Sequence, residues 1–257
     1  MTTDKHPTTP DTGSAIGAYF AVLIDKIRRA ADTQAQALAA AADACAEALA
    51  AGGVVHLFDT GHMISQELVR RAGGLVAFTP LRYGGVLDNS NLHRGRSLPS
   101  GEEAERTLLR WVFAGDSLRR GDVLVISSVS GTSVRVVELA LAARAAGLLV
   151  VALTAPAHSG RLAPEHSSGR RLYEIADLVL DNQAPYGDAM LRIDGLDVAA
   201  NPASGVVGAA LMWALNAGII ERLVARGIEP TVYESIHLPD GPARVEAAEA
   251  RYAERGI

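Results

Sequence analysis

Five short, almost uninterrupted apolar runs constrain the fold more than anything else in this chain: VVHLF (54–58), LVAFTP (75–80), DVLVIS (122–127), LLVVALT (148–154) and LVLD (178–181). A strand with one face in water alternates apolar and polar residues. Runs apolar throughout belong to strands covered on both faces, the hallmark of a parallel sheet. Between them lie stretches with helical spacing: MISQELVRRA (63–72), about 102–118, and about 132–146. Strand alternating with helix implies right-handed βαβ units with helices on both faces of the sheet. The expected fold is therefore α/β, a doubly wound three-layer sandwich around a mainly parallel five-stranded sheet.

The flanking segments add helices. Across 14–51, Ile16, Tyr19, Phe20, Leu23, Ile24 and Ile27 recur at threes and fours before a run of alanines that stops at Gly52-Gly53. This reads as one long helix or two consecutive ones, an arm whose small residues suit close packing on another helix or on a second subunit. Residues 82–100 carry Gly, Asn, Ser, Arg and Pro without a period and read as a loop. Residues 171–176 read as a short helical turn, and MLRIDGLDVAA (190–200) as a small hairpin or irregular strand. A long Ala-rich helix is expected at 203–226 and a weak, charged one at 240–257. The domain reading is a disordered leader (1–13), the helical arm (14–51), the α/β domain (52–238) and a C-terminal tail (239–257).

Composition excludes several classes. A formal charge of −5 without a basic stripe argues against a nucleic-acid surface. Charges or glycines interrupt the apolar stretches, so no membrane span is expected, and the polar N-terminus is unlike a signal peptide. The single cysteine, Cys45, rules out an internal disulfide framework and reads as core filler, which fits a reducing cytoplasm. Trp111 and Trp213 sit in apolar helical stretches and are expected to pack in the core or an interface. No Cys or His-Glu group has metal-ligand spacing, so neither metal nor cofactor is expected.

The chemistry-bearing stretch is ISSVSGTSVRVVELALAARAAG (126–147). Ser127, Ser128, Ser130, Thr132 and Ser133 put five hydroxyls in seven positions around Gly131. They lie where a buried strand hands over to a helix. A helix cap needs one hydroxyl. In an open parallel sheet, ligands sit beyond the carboxyl ends of the strands, and a helix N-terminus offers free N–H groups to an anion. The loop reads as an anion cradle built from neutral donors. No Gly-x-x-x-x-Gly-Lys-Ser/Thr loop, Gly-x-Gly-x-x-Gly fingerprint or Gly-x-Ser-x-Gly elbow is present.

The Ser128-x-Ser130-Gly131-x-Ser133 pattern within 121–154 resembles the core motif of sugar isomerase (SIS) domains. HLFDTGH (56–62), RAGG (71–74), GDVLVIS (121–127), HSSGRRLYEIADLVLDN (166–182), GDA (187–189) and VVGAAL (206–211) are similar to a bacterial family of stand-alone SIS proteins. The resemblance covers roughly 15–238. It implies phosphosugar binding through Ser128, Ser130, Gly131, Thr132 and Ser133, and homodimerisation with sites that a neighbouring subunit helps to build. It also implies Gly-x-Gly-His-Ser after the first strand, where this chain reads Asp59-Thr60-Gly61-His62-Met63. Gly61 and His62 are kept, a hydroxyl is replaced by methionine, and an Asp59 carboxylate pointing inward would repel an anion.

Aldose–ketose isomerisation needs a base that moves a proton between adjacent carbons and a group that helps open the ring. Glu67, His62 and His166 are the candidates, the glutamate by resemblance to a catalytic base on this helix in related isomerases. Glu138 reads as a solvent-facing or arginine-paired helix residue. Asp181 and Asn182, with Asp188, either bind sugar hydroxyls or tie a turn. The leading expectation is a cofactor-free isomerase or related lyase on a sugar or sugar phosphate. The alternatives are a non-catalytic sensor of a sugar phosphate, and an enzyme whose sugar carries an acidic group other than phosphate.

Overall fold

The computed structural model describes residues 14–61, 64–85 and 100–257. The leader expected at 1–13, His62, Met63 and most of the loop at 82–100 lie outside the described residues. In chain order the elements are α1 (Ala15–Ala50), β1 (Val55–Asp59), α2 (Ile64–Leu68), β2 (Phe78–Pro80), α3 (Glu102–Ala114), β3 (Val123–Ser127), α4 (Val134–Ala146) and β4 (Leu149–Thr154). There follow α5 (Pro156–Ser159), α6 (Leu172–Ile175), β5 (Leu178–Asp181), β6 (Ala189–Leu191), β7 (Ala200–Pro202), α7 (Ser204–Ala225) and α8 (Gly241–Arg255).

Five strands form one sheet in the order β2-β1-β3-β4-β5, every neighbouring pair parallel. The strand period of two sorts their side chains into two cores. Val123 and Val125 of β3, with Val151 and Leu153 of β4, point to the face covered by α1, α2 and α7. Leu124 and Ile126, with Val150 and Ala152, point to the face covered by α3, α4 and α6. Each run is apolar nearly throughout because each strand serves both cores. The fold is the expected α/β sandwich, and 189–202 form the small antiparallel hairpin β6–β7.

The arm is a single helix of 36 residues, and Ser14 caps it by accepting from the Gly17 N–H at 3.3 Å. Its alanine run packs on α7: Ala41, Ala42, Cys45, Ala46 and Leu49 are buried there. A Cβ placed on Gly218 of α7 would stand 3.0 Å from the Ala42 Cβ, so small residues on both helices permit the approach. By length and composition α7 is apolar enough to cross a membrane. Its apolar character goes into this packing, with Val207, Leu211, Met212, Leu215, Ile219 and Leu223 buried.

Two boundaries differ from expectation. The helix expected over 63–72 ends at Leu68, and Arg70 then takes a left-handed φ of 56°, which no continuing helix allows. The strand expected over 75–80 joins the sheet only at Phe78, because Leu75 pairs antiparallel with Val232 outside it. Trp213 is half-buried on α7, whereas Trp111 of α3 is 73% exposed and leaves the core.

Candidate functional site

The strand order reverses beside β1: the chain leaves β1 for β2 on one side, and β3 lies on the other. The carboxyl ends of β1 and β3 therefore open a crevice, the usual ligand position in such sheets. The two loops above them are tied together. The Thr60 N–H donates to the Ser127 carbonyl at 3.2 Å, and its hydroxyl to the same oxygen at 3.4 Å.

The β3–α4 loop divides its hydroxyls between scaffold and surface. Ser127, Ser128 and Thr132 are buried. Ser128 Oγ accepts from the Gly131 N–H at 3.2 Å, and the Thr132 hydroxyl donates to Glu165 at 2.9 Å. The Leu172 N–H donates to the Gly131 carbonyl at 2.8 Å, and the Ser159 hydroxyl donates to the Ser130 carbonyl. Gly131 has φ 58°, and a Cβ there would meet the Leu172 Cβ at 2.9 Å, so only glycine fits. Ser130 and Ser133 are left half-buried at the mouth. Ser133 caps α4 by backbone alone, and the first helical bond, Val137 N–H to the Ser133 carbonyl, spans 3.1 Å. The N–H groups of the first turn of α4 thus have no side-chain cap, which leaves the positive end of the helix dipole at the crevice.

Arg135, in that first turn, was not picked out from the sequence. Its guanidinium stacks 4.3 Å from the Tyr83 ring centroid and 5.8 Å from that of Phe58, and donates to the Tyr83 carbonyl. Its Nε is buried without a hydrogen-bond partner among the described residues. An arginine two residues after the serine loop was the available signal.

On the β1 side, Asp59 turns its carboxylate onto its own loop. Oδ1 accepts from the Gly61 N–H at 3.0 Å; Oδ2 accepts from the Ser65 N–H at 3.0 Å and from the Ser65 hydroxyl. Gly61 is exposed with φ 111°. Glu67 lies one turn beyond, where Oε1 accepts from Arg71 at 3.3 Å and from the Trp213 indole at 3.4 Å. A cavity of about 600 Å³ between α2, α7 and α8 is lined by Arg70, Arg71, Trp213 and Tyr233. Its arginines are already paired, Arg70 with Glu249 at 2.8 Å and Arg71 with Glu67.

His166 lies in the loop that follows β4, next to Glu165, in a buried polar cluster against α4. Its side chain is 3% exposed, with Nε2 2.7 Å from Glu138 Oε1 and Nδ1 2.8 Å from the Ser168 hydroxyl. Glu138 is buried and also pairs with Arg106 at 2.7 Å. Glu102 receives the Ser167 N–H and hydroxyl, each at 2.6 Å, and these bonds, the hydroxyl's foremost, hold its carboxyl down at about 2. Single ligand atoms of Glu102, Glu138 and His166 lie within 4.8 Å of one another, a spacing that suits a cation. Arg106, 2.7 Å from both carboxylates, supplies positive charge at that place. Glu102, Arg106 and Ser167 were not foreseen, because no spacing links residues 65 apart.

Asp181 and Asn182 tie the turn after β5. Asp181 Oδ1 accepts from the Gln183 N–H at 2.8 Å and Asn182 Oδ1 from the Ala184 N–H at 3.1 Å. Burial pushes the Asp181 carboxyl up. Both lie two strands away from β3, on the rim that carries the crevice. His56 pairs with Asp122 at 3.2 Å, buried at the opposite rim.

A sandwich of this strand order with a serine-glycine loop at the switch point defines a class, and residues 18–155 match the model of the SIS domain. The chain belongs to that family. It is 31% identical over 242 residues to UPF0309 protein lin2794 of Listeria innocua, covering 93% of this chain and 96% of that one. It is 37% identical over 227 residues to a UPF0309 protein of Streptomyces griseus, covering 88% and 90%. In three dimensions it resembles phosphoheptose isomerase GmhA from Neisseria gonorrhoeae, with a TM-score of 0.51 at 19% identity over 80% of this chain and 97% of that one.

Proposed function

We propose that this protein binds a sugar or sugar phosphate in the β1–β3 crevice and isomerises it by cofactor-free proton transfer. The observation that carries the reading is the mouth of the β3–α4 loop. Ser130 and Ser133 stand half-buried over a helix N-terminus without a side-chain cap, at the switch point of the sheet. Gly131, Ser128 and Thr132 shape that loop, and Ser130 and Ser133 meet the ligand's acidic group. Gly61 ends the facing β1 loop, Glu67 is the base, and Asp181 and Asn182 lie along the rim where sugar hydroxyls extend. His166, held by Glu138, orients the loop after β4. The phosphosugar class is supported by membership of the SIS family and by the fold shared with a phosphoheptose isomerase.

A second reading, a sugar sensor without turnover, draws on the engagement of Glu67 with Arg71 and Trp213 and on the burial of His166. One experiment addresses both. Thermal unfolding is followed with sugar phosphates, their parent sugars and inorganic phosphate, since a ligand of the native state raises its melting temperature. Stabilisation that is lost in Ser130→Ala supports the crevice. Turnover of that ligand, lost in Glu67→Gln with binding kept, supports the isomerase. Binding without turnover favours the sensor, and no stabilisation by any sugar overturns both.

A further inference from the structure

We infer that the cavity between α2, α7 and α8 is a second carbohydrate site, one that takes an uncharged sugar ring. Its volume of about 600 Å³ falls in the range of about 300–1,000 Å³ typical of small-molecule sites. It is separate from the crevice, since no residue of the serine loop is among the described residues that line it. The site therefore does not depend on what the crevice binds or on any turnover there.

The chemistry of the lining selects the ligand. Its arginines and glutamates are held in pairs: Arg70 with Glu249 at 2.8 Å, Arg71 with Glu67 at 3.3 Å, and Glu234 with Arg244 at 2.6 Å. An ionic ligand has to break one of these pairs to gain a partner of its own. A hydroxyl breaks none, because a paired carboxylate keeps free lone pairs and a paired guanidinium keeps free N–H groups. Adjacent hydroxyls of a sugar ring offer donor and acceptor side by side, which suits planar groups of this kind. Trp213 supplies the aromatic part of the lining, and its indole is fixed at two points. Nε1 donates to Glu67 at 3.4 Å, and Cη2 would stand 3.5 Å from a Cβ placed on Gly74. An aromatic face is electron-rich, so it attracts the weakly positive C–H groups of a pyranose. Tyr233, 7% exposed, donates its hydroxyl to Glu249 at 3.1 Å and holds that carboxylate in place as well. Arg70 reaches Glu249 from a left-handed φ of 56°, a conformation that costs a non-glycine residue energy and recurs at functional sites.

The chain has two tryptophans, and Trp111 is 73% exposed on α3, so Trp111→Phe leaves Trp213 as the sole indole reporter. In that background Trp213 emission is followed while glucose, galactose and N-acetylglucosamine are titrated, with glucose 6-phosphate and inorganic phosphate alongside. The expected result is a saturable change with at least one uncharged sugar. Its dissociation constant is expected to rise about tenfold or more on adding Glu249→Ala, as loss of a hydrogen bond to a charged group requires. Exposed Glu234 gives a second variant, Glu234→Ala, should the first perturb α8. Adding Ser130→Ala is expected to leave the constant unchanged. A response to inorganic phosphate and to no uncharged sugar, or no response at all, overturns the site. So does a response lost in Ser130→Ala and kept in both glutamate variants, which assigns the sugar to the crevice and leaves that reading standing.

Discussion

Charge and hydrogen bonding separate the residues of the rim into those that shape it and those left open. Ser128 spends its hydroxyl inside the loop and Thr132 gives its own to Glu165, while Ser130 and Ser133 stay half-buried at the mouth. The sequence shows five hydroxyls at the right place but not this division, because Glu165, which takes the Thr132 hydroxyl, and Leu172, whose N–H holds the Gly131 carbonyl, come more than thirty residues later. Of the two expectations for Glu138, solvent-facing or arginine-paired, the second holds and the first does not, since it is buried against His166 with Arg106 arriving from another helix. Glu102 makes this cluster testable by pH. Its carboxyl is held at about 2 against an ordinary 4.5, chiefly by the Ser167 hydroxyl and N–H. A depressed carboxylate stabilises the fold fully above its unfolded value and loses that contribution as pH falls toward the folded one. Stability of wild type is therefore expected to drop between about pH 4.5 and about pH 2 more steeply than that of Glu102→Gln. Urea midpoints across that range check it; parallel profiles would remove Glu102 from the acid response. Cys45 takes no part, since burial pushes its thiol up to about 12.

The elements differ in how plainly the sequence announces them. Strands β1, β3, β4 and β5 are legible because each serves two cores and is apolar at nearly every position, His56 of β1 being the paired exception. The end of α2 is hidden: VRRA keeps a helical pattern, and only the left-handed Arg70 and the pairing of Gly73 N–H with the Tyr233 carbonyl at 2.8 Å stop it. For the same reason β2 is short, its first residues drawn off by the segment around Val232. Alanine richness announces close packing without saying against what; the answer is α7, through Gly218 and Ala42. Gly218→Leu drives a branched side chain into that contact and is expected to destabilise by about 1–3 kcal/mol, the usual effect of overpacking. Denaturant unfolding with an unchanged m-value is the readout, and a loss under about 0.5 kcal/mol would mean that the helices can separate freely.

For the whole molecule, one ordered piece of the exposed apolar surface lies on the arm. Ile16, Phe20 and Ile24 recur every four residues along one stripe of α1 and are 73%, 56% and 46% exposed, beyond the stretch that α7 covers. Val206 and Val224 add exposed apolar surface on α7. A stripe of this kind on a long helix suits a second copy of the chain, and we propose a homodimer built on it. Light scattering coupled to size exclusion is expected to give twice the chain mass of 26.9 kDa for wild type and a shift toward one chain mass for Phe20→Glu. A wild-type mass of one chain at micromolar concentration would leave the stripe without this partner.

All five strands run in the same direction, so the two rims of the sheet carry different burdens. At one rim the His56–Asp122 pair fixes the starts of β1 and β3, with Asp122 also accepting the Val54 N–H at 2.9 Å and the Arg119 N–H at 2.8 Å. At the other lie the serine loop and the turn at Asp59, where we place the ligand. The strands are thus pinned at one rim, and a substitution in the loops of the other is expected to leave that anchorage untouched.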